Sequence, residues 1–146
     1  QELLFLHIMD RYRIIRNKIT VAEYQLLRHT TNWFQIEDSV VEKSLNNDLF
    51  SVTIYDDKKL IGMGRVVGDG AIYFYVQDII VIPEYQGRGI GKLIMNTIEA
   101  YLSESAYNNS FVGLMAARGV AGFYYNFGYK ERDNERPGMS KLIKKP

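Results

Sequence analysis

A β-branched run, Ile79-Ile80-Val81-Ile82, passes through Pro83-Glu84-Tyr85 into Gln86-Gly87-Arg88-Gly89-Ile90-Gly91-Lys92 and then directly into an apolar periodic segment. Nothing else in the chain restricts the fold as strongly. Leu93, Ile94, Thr97, Ile98, Tyr101 and Leu102 recur at i, i+1, i+4, i+5, i+8 and i+9, the stripe of an amphipathic helix. The alternate glycines admit positive φ and leave no Cβ in the way. Successive backbone N–H groups can therefore approach an anion at a helix N-terminus carrying about half a positive charge. A diphosphate suits such a loop, and Arg88 and Lys92 add side-chain cations. The spacing is neither that of a nucleotide P-loop nor that of a Rossmann fingerprint. A tight structural turn is the competing reading of a Gly-rich loop, and the strand before it and helix after it favour the anion site.

Around this segment the elements fall into a mixed order. Tyr12 to Arg16 reads as a strand. Thr20, with Glu23 three residues on, makes a capping box for a helix carrying Tyr24, Leu26 and Leu27. A second helix is expected from Asp38 to Leu45, stopped by Asn46-Asn47-Asp48. Phe50 to Tyr55 and Leu60 to Val67 form a hairpin across Asp56-Asp57-Lys58-Lys59, and Ala71 to Ile82 follows the turn Gly68-Asp69-Gly70. After the central helix come a short buried strand, Phe111 to Met115, a brief helix from Gly122 to Phe127, and a last strand from Tyr129 onward. The expected fold is α/β in the α+β sense, with order βααβββαβαβ and a largely antiparallel twisted sheet flanked by helices.

Composition narrows the function. The chain has 146 residues, enough for one domain that buries roughly 70% of its unfolded surface. Lys and Arg number 18 against 17 Asp and Glu, so no global field points to nucleic acid or an anionic membrane. No apolar run approaches the ~18 residues of a membrane span. The absence of cysteine removes disulfides, a thiolate zinc site and an acyl-Cys intermediate, and two histidines, His7 and His29, are too few for a His-based metal cluster. No metal is expected, and a cytoplasmic location is the default. Residues 1–8 (QELLFLHI) read as an appended remnant or an N-terminal extension, and residues 9–146 as a single domain.

Two motifs carry a family resemblance. Gln86-Gly87-Arg88-Gly89-Ile90-Gly91 resembles the Q/R-x-x-G-x-G/A pyrophosphate loop of the GNAT acyltransferase superfamily, and Phe123-Tyr124-Tyr125-Asn126-Phe127-Gly128-Tyr129 resembles its FYxxxGF/Y signature. Asp78 to Gly87 is similar to the strand and loop of small-amine members, including glucosamine-phosphate and arylalkylamine-type acetyltransferases. The resemblance spans roughly Leu60 to Tyr129. Ala117 and Val120 stand where many members have an Asn and a small residue, which departs from one pantetheine contact. The resemblance implies acetyl-CoA as the acetyl donor, held by Ile79, Ile80, Val81, the loop Gln86, Gly87, Arg88, Gly89, Ile90, Gly91 and Lys92, and Tyr124. It also implies a homodimer.

Chemistry gives these positions roles. The pantetheine amides can pair with the splayed edge of Ile79 to Val81, leaving the thioester carbonyl near the Val81 N–H as oxyanion donor. Tyr124 matches the tyrosine that protonates the departing thiolate; the alternative is a core aromatic cluster of Phe123, Tyr124, Tyr125 and Phe127. Asp78 either orients the incoming ammonium and relays its proton, or pairs with Arg65 or Lys92. Tyr73 and Tyr75 line the acceptor pocket or pack in the core, and His29 is a further candidate base. Trp33 and Phe34 fall where the resemblance puts a segment covering the substrate, or else plug a helix end. The expected activity is transfer of an acetyl group to a primary amine, on a small molecule, by direct attack in a ternary complex. The alternatives are a protein or peptide N-acetyltransferase and a noncatalytic acyl-CoA sensor.

Overall fold

Thr20 accepts a hydrogen bond from the Glu23 N–H (3.1 Å) and Glu23 returns one from the Thr20 N–H (3.0 Å), so the expected capping box starts the first helix. The computed structural model describes residues 11–146. The reading of residues 1–8 lies outside the described residues. The elements are β1 (Tyr12–Arg16), α1 (Val21–Arg28), α2 (Asp38–Leu45), β2 (Phe50–Asp56), β3 (Lys59–Gly68), β4 (Tyr73–Val81), a 3-10 turn (Pro83–Tyr85), α3 (Ile90–Ser105), β5 (Phe111–Gly113) and α4 (Ala121–Tyr125). The chain divides into two compact units, one ending at Met115 and one running from Ala116 to Pro146. No helix among the described residues is long and apolar enough to cross a membrane.

The first unit holds a five-stranded sheet in the order β1-β2-β3-β4-β5, antiparallel up to β4 and parallel between β4 and β5. Helices cover both faces. Consecutive β3 residues point to opposite faces. A Cβ on Gly64 would meet Ile94 and Ile98 of α3, whereas Arg65 reaches Ser44 of α2 and lies over the Tyr24 ring of α1. The core on the α3 side contains Ile90, Leu93, Ile94 and Ile98 with Phe74, all almost fully buried, and Tyr101 of α3 stacks on Phe50 at 4.5 Å.

Two features of β4 bear on function. Met63 pairs with Ile80 and Arg65 with Gln77, so Gly64 alone opposes both Asp78 and Ile79. This is a β-bulge, and Asp78 occupies it at φ 57. Further, β5 pairs only with Tyr73 to Tyr75, so from Val76 to Val81 that edge of β4 has no strand beside it among the described residues. The open edge runs about 20 Å at the usual rise per residue.

The structure corrects two expectations. Phe111 to Met115 is not a buried strand: β5 is three residues long, and Phe111 is 53% exposed. It is an edge strand with one side uncovered. The last strand from Tyr129 is absent from the second unit, where α4 ends at Tyr125, a turn closes at Gly128 (φ 88) and the rest is turn and coil. Tyr129-Lys130-Glu131-Arg132-Asp133-Asn134-Glu135-Arg136 lacks the apolar alternation a strand needs. Asp133 instead closes a turn, accepting from the Glu135 N–H (3.1 Å) and from both Nε and Nη2 of Arg136.

Candidate active site

The strand end and the glycine loop form one continuous surface. Ile82 donates its N–H to the Ile61 carbonyl (3.0 Å), so it faces β3. By the alternation of an antiparallel strand, Val81 turns its N–H and carbonyl toward the open edge. The carbonyl is taken by the side-chain amide of Gln86 (3.0 Å), which leaves the Val81 N–H as the outward donor at the strand end. Ile79 and Val81 are half-buried, while the Ile80 side chain packs into the core.

In the loop, Gly87 and Gly89 adopt φ 77 and φ 86, and Gly89 is the N-cap of α3. A Cβ on Gly87 would meet nothing within 4 Å, so space beside the loop is open. Leu93 donates to the Gly89 carbonyl (3.1 Å), and the first-turn amides of Ile90, Gly91 and Lys92 lie ahead of any intrahelical acceptor. These donors and the positive helix end suit a diphosphate. The Ile90 side chain is buried, so only its backbone can serve; Lys92 is exposed.

Tyr85 fastens the loop to the β2–β3 hairpin, a role the sequence reading missed. Its hydroxyl donates to Asp56 (2.5 Å), which also pairs with Arg11 at 3.0 Å. These hydrogen bonds, first from Tyr85 and then from Arg11, hold the Asp56 carboxyl below its ordinary range. Arg88 and Lys59 sit over the Tyr85 ring at 4.9 and 5.6 Å. Arg88 thus rests on the loop's own aromatic anchor.

Asp78 is 8% exposed and faces α1. Its Oδ2 accepts from Arg65 Nη1 (2.8 Å) and the Tyr24 hydroxyl (3.1 Å), and Oδ1 lies 3.7 Å from Arg28 Nη1. Of the two cations that the sequence offered as its partner, Arg65 is the one it meets. Arg65 also reaches Asp48 (3.2 Å) and Ser44 (2.9 Å to Oγ). Burial pushes the Tyr24 phenol above its ordinary pKa, and the Asp78 charge adds to the rise.

Trp33 and Phe34 border a small cavity of about 150 Å³ together with Arg28, His29, Thr31 and Gln35. Both aromatics are exposed, so they do not plug a helix end. Tyr73 and Tyr75 lie apart from this group. Tyr75 is six residues from Val81, about 20 Å along a strand, and Tyr73 packs edge-on against Phe111. They flank the β5 edge, not the strand end. In the second unit Tyr124 is half-buried, its ring edge-on to Phe123 at 5.1 Å and to Tyr129 at 6.3 Å. Burial raises its phenol pKa above the ordinary value. The neighbouring Tyr125 hydroxyl is engaged by Glu131.

The acetyltransferase (GNAT) domain family model matches residues 19–139, which includes the loop, β4 and the Phe123-Tyr124 pair. The chain belongs to the GNAT acetyltransferase family. It is an acyltransferase whose family uses acetyl-CoA as acetyl donor. The Staphylococcus aureus protein SA2161 has a similar crystal structure, with TM-score 0.83 and 34% identity, covering 90% of this chain and 99% of that one. An uncharacterized N-acetyltransferase, ycf52-like, of Prochlorococcus marinus is 30% identical over 82% of this chain and 69% of its own length. Histone acetyltransferase TAP1 of Glycine max is 33% identical over 83% of this chain and 56% of its own length. In a chloroplastic Arabidopsis thaliana relative the match covers only 31% of that protein.

Proposed function

We propose that this GNAT enzyme acetylates a primary amine of a small molecule by direct attack on bound acetyl-CoA. The observation that carries the donor half is the open edge of β4, ending at the outward Val81 N–H and running into the glycine loop. In this reading the pantetheine amides pair with Ile79 to Val81, and the diphosphate rests on the first-turn amides of α3. The amine nitrogen attacks the thioester carbonyl carbon, whose developing oxyanion is held by the Val81 N–H. The C–S bond then breaks, Tyr124 gives its proton to the sulfur, and the ammonium proton passes to water. Without a cysteine, no acyl-Cys intermediate intervenes.

A small acceptor is supported by the loss of acidic candidates. A basic peptide tail needs an open acidic track. Asp78 is buried among cations, and the exposed carboxylates Glu37, Asp38 and Glu84 are too few to make such a track. Trp33 and Phe34 beside the small cavity favour an apolar or aromatic amine. The soybean relative described as a histone acetyltransferase favours the second reading, a protein acceptor. CoA release is to be measured against arylalkylamines, amino-sugar phosphates, polyamines and a histone-tail peptide. Turnover on a small amine with none on the peptide supports the proposal, and the reverse overturns it.

A further inference from the structure

A chain of contacts joins the donor strand to the segment beside the cavity. It begins at the bulge, where Asp78 holds an αL backbone in the middle of a strand. Tyr24 and Arg28, one turn apart on α1, both meet that carboxylate, and Arg28 Nη1 also donates to the Tyr24 hydroxyl (3.1 Å). The other side of the Arg28 guanidinium faces the connection between α1 and α2. Its Nε and Nη2 donate to the Phe34 carbonyl (3.2 and 3.0 Å), and it lies 5.4 Å from the Trp33 ring centroid. One planar cation thus touches the bulge carboxylate at one end and the Trp33–Phe34 backbone at the other.

Each link is ordered for a physical reason. The guanidinium fork has fixed geometry, so orienting one end orients the other. The charge of Arg28 is held at the bulge by a carboxylate with little exposure to water, where attraction is screened far less than at the surface. Asp78 is also the residue whose αL conformation gives β4 its extra residue, and so sets where Ile79 and Val81 present their amides.

We propose that Asp78 is a positioning residue that, through Tyr24 and Arg28, fixes the Trp33–Phe34 segment relative to the donor strand. This rests on the reading of β4 as the acetyl-CoA edge and of Trp33–Phe34 as the acceptor cover. The carboxylate does not meet the amine. It registers the acceptor side against the donor side.

Trp33 is the chain's single tryptophan, so its emission reports on that segment alone. Acrylamide quenching is to be measured in the full chain and in Asp78→Asn, Tyr24→Phe and Leu102→Ala, with CoA affinity by calorimetry and Tm for each; Leu102 is buried on α3, across the sheet from α1. Asn also tolerates αL, so Asp78→Asn removes charge while keeping the bulge; Tyr24→Phe removes only a hydroxyl and serves if the first variant does not fold. The quenching constant should rise about twofold or more in both, as a segment released from its anchor samples open states, and stay unchanged in Leu102→Ala, which is destabilised on the other face of the sheet. CoA affinity should hold within about threefold, because its contacts are with backbone amides. Unchanged quenching in Tyr24→Phe, or an equal rise in Leu102→Ala, overturns the proposal while CoA binding stands. No CoA binding by the unaltered chain overturns the donor reading, and this proposal with it.

Discussion

The side-chain amide of Gln86 donates to the Val81 carbonyl across 3.0 Å, so the first residue of the glycine loop closes back on the last residue of β4. The bond does two things at once. It occupies the acceptor that shares an edge with the Val81 N–H, and it fixes where the loop leaves the strand. Gln86→Ala should weaken CoA binding by about tenfold, equivalent to ~1.4 kcal/mol, with little change in Tm because the residue is exposed. Calorimetric titration with CoA measures it, and wild-type affinity would show that the clasp does not shape the site.

Gly89 sits at φ 86 as the N-cap of α3. Gly89→Asp puts a carboxylate where the diphosphate is proposed to rest and should raise the CoA Kd by about 100-fold or more, about 2.7 kcal/mol. Gly89→Asn carries the same αL backbone strain without the charge and should lose much less. Circular dichroism of both variants should match wild type. Equal losses in the two would assign the effect to backbone strain.

Tyr124→Phe keeps the aromatic packing against Phe123 and Tyr129 and removes the proton donor. Turnover should fall by about 100-fold or more, with CoA affinity and Tm nearly unchanged. Single-turnover kinetics with a responsive amine separates chemistry from product release. Near wild-type chemistry would return Tyr124 to a packing role.

A Cβ on Gly64 would stand 2.6 Å from Ile94 Cγ2 and 2.8 Å from Ile79 Cδ1. Gly64→Ala forces the sheet away from α3 and should cost about 1–3 kcal/mol, seen as a Tm lower by roughly 2–8 °C. An unchanged melting temperature would mean that these isoleucines yield freely.

Alkaline stability follows from Tyr24. Burial, and then the Asp78 charge, raise its phenol pKa in the folded state above the ordinary 10.0. A group whose folded pKa is raised stabilises fully below its unfolded value and loses that contribution as pH climbs through the folded value. Denaturant midpoints should therefore be flat up to about pH 10 and fall above it. Tyr24→Phe should lower the midpoint at neutral pH and flatten the alkaline fall. Identical alkaline slopes in both proteins would place the titrating group elsewhere.

The sequence made legible whatever depends on neighbours in the chain. The Thr20 capping box, the hairpin expected across Asp56-Asp57-Lys58-Lys59, whose turn is narrowed to Asp57-Lys58, and the strand–glycine–helix segment are all local. The surroundings of Asp78 are not local. Tyr24 lies 54 residues from it in sequence and Arg65 lies 13. One signal was available: Gly64, inside a strand, is the mark of a bulge or a close approach, and here it is both. The strand expected from Tyr129 failed for the opposite reason, since a tyrosine at one end does not outweigh the charged run after it. Tyr73 and Tyr75 share a face but stand at the wrong end of β4, a matter of distance along the strand that residue type does not convey.

A strand flank with outward amides is also a hazard, because it offers a ready template to the same flank of another molecule. On β4 that flank runs from Val76 to Val81, the stretch that β5 leaves unpaired. Nucleotide thioester seated there would act as a cap against self-association, as well as stabilising the native chain by mass action. Concentrated protein kept without CoA should lose monodispersity in light scattering sooner than protein kept with it, so the condition of storage becomes a property of the binding edge.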